Sequence, residues 1–171
     1  MNIEIKQIGI TRTNCEAVVN AANEHLLEGG GVCGYIFKAA GRLDLAEACN
    51  DIGHCEVGNA VITDGFQLSK YIIHAVGPRY IDGKHNEAKL LESAYESSLK
   101  LALNNNIKSI AFPLISAGIF GYPINEAIKI AIDTCLKFKD EDIDIVFTIP
   151  ENDKYELMLK YYESLRSVWL R

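Results

Sequence analysis

"NAANEHLLEGGGVCGYIFKAAG" runs from Asn20 to Gly41. It follows a short valine-rich run, Ala17 to Val19, and leads into a segment with Val32, Ile36 and Ala39 or Ala40 on one helical face. A strand is therefore predicted to end at Asn20, and a helix to follow the glycines and stop at Gly41. Three consecutive glycines, Gly29, Gly30 and Gly31, are a poor joint between the two, because each loses more backbone entropy on folding than any other residue. What glycine supplies is access: the backbone can approach a ligand closely and turn its N–H groups toward it.

Working outward, strand and helix patterns alternate along the whole chain. "IEIKQI" and "EAVVN" read as strands, and "LDLAEACNDIG" as a short helix ending at Gly53. "GNAVITDG" and "KYIIHAVG" are two more strands. "NEAKLLESAYESSLKLALNNN" is the clearest helix, with Leu91, Ala94, Tyr95 and Leu99 at helical spacing and an asparagine run to end it. "KSIAFPLI" is a strand, and "PINEAIKIAIDTCLKFKD" an amphipathic helix with Pro123 near its first turn. "DIDIVFTI" is the last strand, and "ENDKYELMLKYYESLRSVWL" a closing helix. Most strands are apolar on both faces, which suits one α/β domain over residues 1–171 with its sheet covered on both sides.

A chain of 171 residues can bury roughly two-thirds of the surface it exposes when unfolded. Hydrophobic residues make up 49% and charged residues 23%, as in ordinary soluble domains. The N-terminal "MNIEIKQ" does not read as a signal peptide, and no apolar stretch reaches membrane-spanning length. Five scattered cysteines, Cys15, Cys33, Cys49, Cys55 and Cys135, form no CxxC pair and read as reduced, buried thiols of a cytoplasmic protein. A net charge of −6 argues against gripping a free nucleic acid. It leaves open a phosphorylated small ligand held by backbone N–H groups.

In a covered α/β sheet, ligands bind where loops leave the carboxyl ends of strands. Two such loops are glycine-rich: Glu24 to Gly31, and "SAGIFG" from Ser116 to Gly121. Each leads to a helix, whose free N–H groups and dipole favour anions. Side by side they could clamp a diphosphate, although glycine-rich turns also serve only as turns. Asn20 reads as a cap or brace for the first loop. Asn23 carries an amide that can both donate to and accept from vicinal hydroxyls such as a ribose offers. His74 lies within an apolar strand and reads as a satisfied core histidine.

"AVVNAAN", "GGGV", "FKAAG", "IIHAVGP", "AFPLISAGIFGYP" and "FTIPENDKYE" together resemble the macrodomain family, in order and spacing, over nearly the whole chain. The resemblance implies a three-layer α/β/α fold with a mixed sheet of about six strands, and binding of ADP-ribose. It implies either removal of ADP-ribose from modified proteins or deacetylation of O-acetyl-ADP-ribose. The alternative is a reader module that binds without turnover. Gly29, Gly30, Gly31 and Val32 would then line the distal ribose and one side of the diphosphate. Ser116, Ala117, Gly118 and Ile119 would supply backbone N–H groups to the other side. Phe120 would lie beside the distal ribose, unless it is a hydrophobic plug. Asn23 would bond the ribose hydroxyls. The ligand-binding set also takes in Ala21 and Leu114.

Departures from the family's pattern bear on both ends of the ligand. The family usually reads "GDIT" where this chain has "IGIT", so Gly9 stands in place of an Asp that bonds the adenine amino group. The backbone of Ile10 could still meet the ring, and Pro150 aligns with a position that often holds an aromatic. Cys33 stands where MacroD-type hydrolases carry an Asp that helps activate water or position the substrate. A thiol near a helix N-terminus can have a lowered pKa, but a neutral packed Cys is the reading favoured here. Viral relatives carry a small apolar residue there and can still hydrolyse. The implied hydrolysis needs neither metal nor cofactor: water attacks C1″ of a distal ribose held by Asn23, Gly31 and Phe120.

Overall fold

A computed structural model describes residues 1–169 and gives a six-stranded mixed sheet between two helical layers. The elements are β1 (Ile3–Lys6), a 3-10 turn (Ile10–Arg12), β2 (Ala17–Ala21), α1 (Gly31–Ala40), α2 (Arg42–Ile52), β3 (Ala60–Asp64), β4 (Tyr71–Ala75), α3 (Glu87–Asn104), β5 (Ser109–Phe112), α4 (Ile124–Leu136), β6 (Asp144–Thr148) and α5 (Asn152–Trp169). The sheet order is β1-β6-β5-β2-β4-β3. Every pairing is parallel except that of β3 with β4, which is antiparallel. The α/β/α fold with a mixed six-stranded sheet is thus the one expected. Among the described residues no helix is long and apolar enough to cross a membrane. Leu170, the last residue of the expected closing helix, lies outside the described residues.

Alternation along the central strands sorts side chains between two cores. Ala17, Val19, Ile73, Ile110, Phe112 and Phe147 pack against α3, α4 and α5. Val18, Ile72 and Ala111 point the other way, into α1 and α2. Tyr95 of α3 forms an aromatic cluster with Phe112 and Phe147, with centroids 5.2 and 6.4 Å away. Its rim is less apolar than expected: β1 and β3 are edge strands with partly exposed residues. The helix after Pro123 is also shorter than its apolar pattern, ending at Leu136, where Lys137, Phe138 and Lys139 close a run of tight turns.

Strand order positions the site. β1, β6, β5, β2 and β4 all run the same way, so their carboxyl ends share one edge of the sheet. Adjacent strands lie about 4.8 Å apart, so the loops that leave them form a row. Gly9 and Pro150 follow β1 and β6, Leu114–Phe120 follows β5, Asn23–Gly30 follows β2, and Gly77–Asp82 follows β4. The two glycine loops leave neighbouring central strands, as a clamp requires.

Candidate active site

α1 starts without a side-chain cap. Gly30 takes the N-cap position in an extended conformation, and Gly31 follows with φ +58. The first N–H groups of a helix have no partner within it, so this end of α1 presents bare donors. Gly31 is also a left-handed position that other residues adopt only with strain. Opposite, the chain turns tightly after β5. Ser116 has φ +66, and the bonds Ala117 N–H to Leu114 (3.3 Å), Gly121 N–H to Gly118 (3.0 Å) and Tyr122 N–H to Ser116 (2.9 Å) wind residues 114–122 into a compact loop. None of these turn bonds among the described residues uses the N–H of Gly118, Ile119 or Phe120. The loops meet at their tips: a methyl added to Gly30 would lie 3.7 Å from Cδ1 of Ile119.

Both loops are anchored from below. The Tyr95 hydroxyl accepts from the Ile115 N–H at 2.9 Å and reaches the Pro113 carbonyl at 3.4 Å. Ser116 is buried with its hydroxyl against Gly77, where any side chain on residue 77 would collide with it. Ser116 therefore offers the cleft its main chain, not its hydroxyl. Asn23 braces the first loop: its amide donates to the Leu27 carbonyl at 2.8 Å and accepts from the Leu27 N–H at 3.1 Å. One N–H and one lone pair of that amide remain for a ligand.

Asn20 does not cap or brace a loop, contrary to the expectation. It is an interior residue of β2, buried and paired in register with His74. Its amide lies 3.0 Å from His74 Nδ1, while Nε2 faces the Thr63 hydroxyl at 3.0 Å, which donates to the Asp64 carbonyl. This chain of donors fits a neutral imidazole protonated on Nε2. Burial pushes the His74 pKa down to about 4, and the core-histidine reading holds. Cys33 is likewise buried. Desolvation outweighs the Gly29 N–H bond to its sulfur (3.3 Å) and raises its pKa, which favours a packed, protonated thiol.

At the β4 end the row opens into a cavity of about 440 Å³, bounded by Asn23, His25, Val57, Arg79, Glu87 and Phe120 among others. Of the residues singled out from sequence, Asn23 and Phe120 line it. Gly29–Val32, Ser116–Ile119, Ala21 and Leu114 belong to the two loops or their strand ends, and Gly9, Ile10 and Pro150 lie at the opposite end of the row. There Gln7 reaches the Pro150 carbonyl at 3.4 Å, Gly9 has open space around its Cα, and Ile10 is buried.

Two features were missed in the sequence. The Glu87 carboxylate, at the start of α3, accepts from the N–H groups of Ile81, Asp82, Gly83 and His85 at 2.6–3.0 Å. Burial works against its charge, yet these four bonds prevail and hold its pKa down to about 2. Arg79 lays its guanidinium over the Phe120 ring, 4.7 Å from the centroid. A charged residue directly after "HAVGP" was the available signal for Arg79; Glu87 gave none, because its partners are all backbone. Glu24–His54–Glu56 and Asp82–His85–Glu87 bring together groups of a kind that bind metals. Their contacts are accounted for by bonds such as His54–Glu56 at 3.0 Å and His85–Asp82 at 2.8 Å.

Residues 19–131 match the family described as Macro domain. An uncharacterised protein of Fusobacterium nucleatum is 49% identical over 157 residues, covering 90% of this chain and 89% of its own. The O-acetyl-ADP-ribose deacetylase 1 of Pantoea vagans is 45% identical over 167 residues, covering 92% and 96%. The Oceanobacillus iheyensis macrodomain, solved with ADP, superposes with a TM-score of 0.92 at 35% identity, covering 96% of this chain and 92% of that one. The fold is that of a three-layer α/β/α domain with two tightly turned loops at the carboxyl edge of its sheet. The chain belongs to the macro domain family.

Proposed function

We propose that the protein binds ADP-ribose along this row and hydrolyses substituents from its distal ribose, whether a protein side chain at C1″ or an O-acetyl group. The observation that carries the reading is the uncapped N-terminus of α1 facing the wound loop of residues 114–121, close enough that a methyl added to Gly30 would lie 3.7 Å from Ile119 Cδ1. Backbone donors on two sides suit a diphosphate and need no net positive charge. The distal ribose then falls between Asn23 and Phe120, and adenine toward Gly9, Ile10 and Pro150. The names of the Pantoea relative and the ligand of the Oceanobacillus structure support the same ligand class. Unpaired cysteines support work in the cytoplasm.

In this reading water is the nucleophile. For a protein-linked substrate it attacks C1″, the C1″–O bond breaks and the protein side chain leaves with a proton. For an O-acetyl substrate it attacks the acetyl carbonyl, the acyl C–O bond breaks, acetate forms and the ribose hydroxyl keeps a proton. Asn23 and the glycine loop fix the sugar, Gly31 keeps the backbone close, and Phe120 limits the pose. Such positioning supplies several kcal/mol of barrier reduction. A reader module is favoured by one observation: Cys33 is a neutral thiol where a carboxylate would aid water. Single-turnover release of ADP-ribose from mono-ADP-ribosylated proteins of defined linkage tests the choice. Release faster than the uncatalysed rate supports the hydrolase, and tight binding without release supports the reader.

A further inference from the structure

Asn23 and Phe120, which hold the distal ribose in the reading above, form one part of the cavity's lining. The rest of it, with Val57, Val76, Pro78, Arg79 and Leu90, lies toward β4, on the side away from the adenine end of the row, and is not needed to hold ADP-ribose. Anything attached to the distal ribose and continuing along the row enters it. Its volume of about 440 Å³ is in the range of true ligand pockets, roughly 300–1,000 Å³. The loop after β4 is also tied to the site: the Tyr80 N–H donates to the Phe120 carbonyl at 2.9 Å, and Gly77 packs on Ser116.

Charge in this cavity is uneven. Glu87 spends its carboxylate on four backbone N–H groups. His85 is paired with Asp82, whereas Glu24 is exposed at the rim, its carboxylate within 4.8 Å of a His54 that is already bonded to Glu56. Arg79 takes part in no salt bridge among the described residues. Its guanidinium lies over the Phe120 ring, 4.7 Å from the centroid, so less freedom is lost when it engages a planar carboxylate. Val57, Val76, Pro78 and Leu90 give the wall an apolar share that can take side-chain stems.

We propose that this cavity receives the protein side of the substrate, an acidic segment flanking the ADP-ribosylated residue, and that Arg79 recognises its carboxylates. The proposal rests on the ADP-ribose reading of the cleft. The net charge of −6 opposes an acidic segment only at long range, because physiological salt screens beyond about 8 Å. Contact with Arg79 decides at short range. Arg79 is a specificity residue here and takes no part in bond breaking.

The test uses peptides carrying ADP-ribose through a hydrolysis-resistant linkage, identical except that the flanks are Asp/Glu, Asn/Gln or Lys. Affinities are measured by calorimetry at low and high salt, with free ADP-ribose in parallel. Wild type is expected to prefer acidic over neutral flanks about fivefold at low salt, and less at high salt. Arg79→Gln removes the preference, Arg79→Lys keeps part of it, and Arg79→Glu reverses it toward lysine flanks. A merely structural arginine would not reverse the ranking. Equal affinities for the flanks in wild type, or a preference surviving Arg79→Gln, overturns the proposal while ADP-ribose still binds. Failure of ADP-ribose itself to bind overturns the cleft reading, and this proposal with it.

Discussion

The loop after β2 and the loop after β5 face each other across the cleft, and they are held by different means. Residues 23–30 have two main-chain bonds, Leu26 N–H to Asn23 and Cys55 N–H to Glu24, and otherwise hang on side chains: the Asn23 amide at both polar groups of Leu27, the Cys33 sulfur at Gly29, and an exposed Arg42–Glu28 pair at 3.1 Å. Residues 114–121 are wound by main-chain bonds and pinned by one buried hydroxyl, that of Tyr95. Side chains can be exchanged one at a time, whereas a wound turn changes as a unit. The first loop is therefore the tunable jaw of the proposed clamp and the second its fixed jaw.

The fixed jaw gives the largest expected effect. A side chain on Gly118 meets no atom within 4 Å, and its φ is not positive, so Gly118→Glu should fold. Its carboxylate would stand among the donors that the proposed reading assigns to phosphate. Like charges brought together cost several kcal/mol, so ADP-ribose affinity should fall by about 100-fold or more. In the other jaw, Gly30→Ala makes an ordinary 3.7 Å contact with Ile119 and should lose far less. Calorimetry on both, with circular dichroism as the folding control, breaks the comparison if their losses are equal.

Asn23→Ala comes next. It removes both the brace at Leu27 and the remaining amide groups that face the cavity. A misplaced sugar can lose about 100-fold in rate, and affinity should fall much less. Turnover unchanged from wild type would leave Asn23 as a brace alone.

The two jaws should also part with pH. His74 and Asn20 lie on the sheet face that carries α1 and the first jaw. The folded pKa of His74 is about 4, against 6.5 for an unperturbed imidazole. The folded state therefore binds fewer protons in this window. The stability is complete above pH 6.5 and is lost as pH falls toward 4, by about 3 kcal/mol at most. Glu87, held at about 2, adds a second loss between pH 4.5 and 2. Melting temperatures measured from pH 7 to 4 should fall, and His74→Gln should flatten the slope. A wild-type curve without slope in this window would show that His74 is not buried as a neutral base. Tyr95 carries no charge in this range, because burial raises its pKa further still.

Tyr95→Phe tests the fixed jaw's anchor. The Ile115 N–H would be left buried without its acceptor. Such a loss costs about 1–3 kcal/mol, or roughly 2–12 °C in melting temperature for a chain of this size. ADP-ribose affinity should drop with it. An unchanged melting temperature would mean that the jaw is held by its turns alone.

How much of this was legible in sequence depended on whether a contact is local. The strands, the helices and both glycine loops were, because period and glycine placement are properties of short windows. The core role of His74 was legible from its apolar strand. The partner of Asn20 was not, since it comes from 54 residues away through strand pairing. Nor was the order of strands, which sets the Arg79 loop at the β4 end of the row, opposite Gly9 and Pro150. The Asn23 brace is only four residues long and could have been considered, but a ribose contact and an Asx-type loop bond ask for the same amide. Sequence cannot separate those two uses, whereas the geometry shows that half of the amide is already spent.

The smallest expected effect concerns the joint between the first jaw and α1. Cys33 is the third residue of that helix, buried, and its sulfur accepts the Gly29 N–H. Alanine removes a weak acceptor but improves helix propensity by about 0.5 kcal/mol, so stability should change little. If water is the nucleophile, hydrolysis in Cys33→Ala should stay near wild type, and a thiol-alkylating reagent should not abolish it. Cys33→Asp is the informative partner. A carboxylate in the first turn gains from the helix dipole, by about 0.3–1 kcal/mol, and would stand beside the loop donors. Burial acts against its charge. Hydrolysis kept or raised in Cys33→Asp would mean that this position can carry a group that orients water. A large loss in Cys33→Ala with ADP-ribose affinity preserved would instead make the thiol a participant in the chemistry.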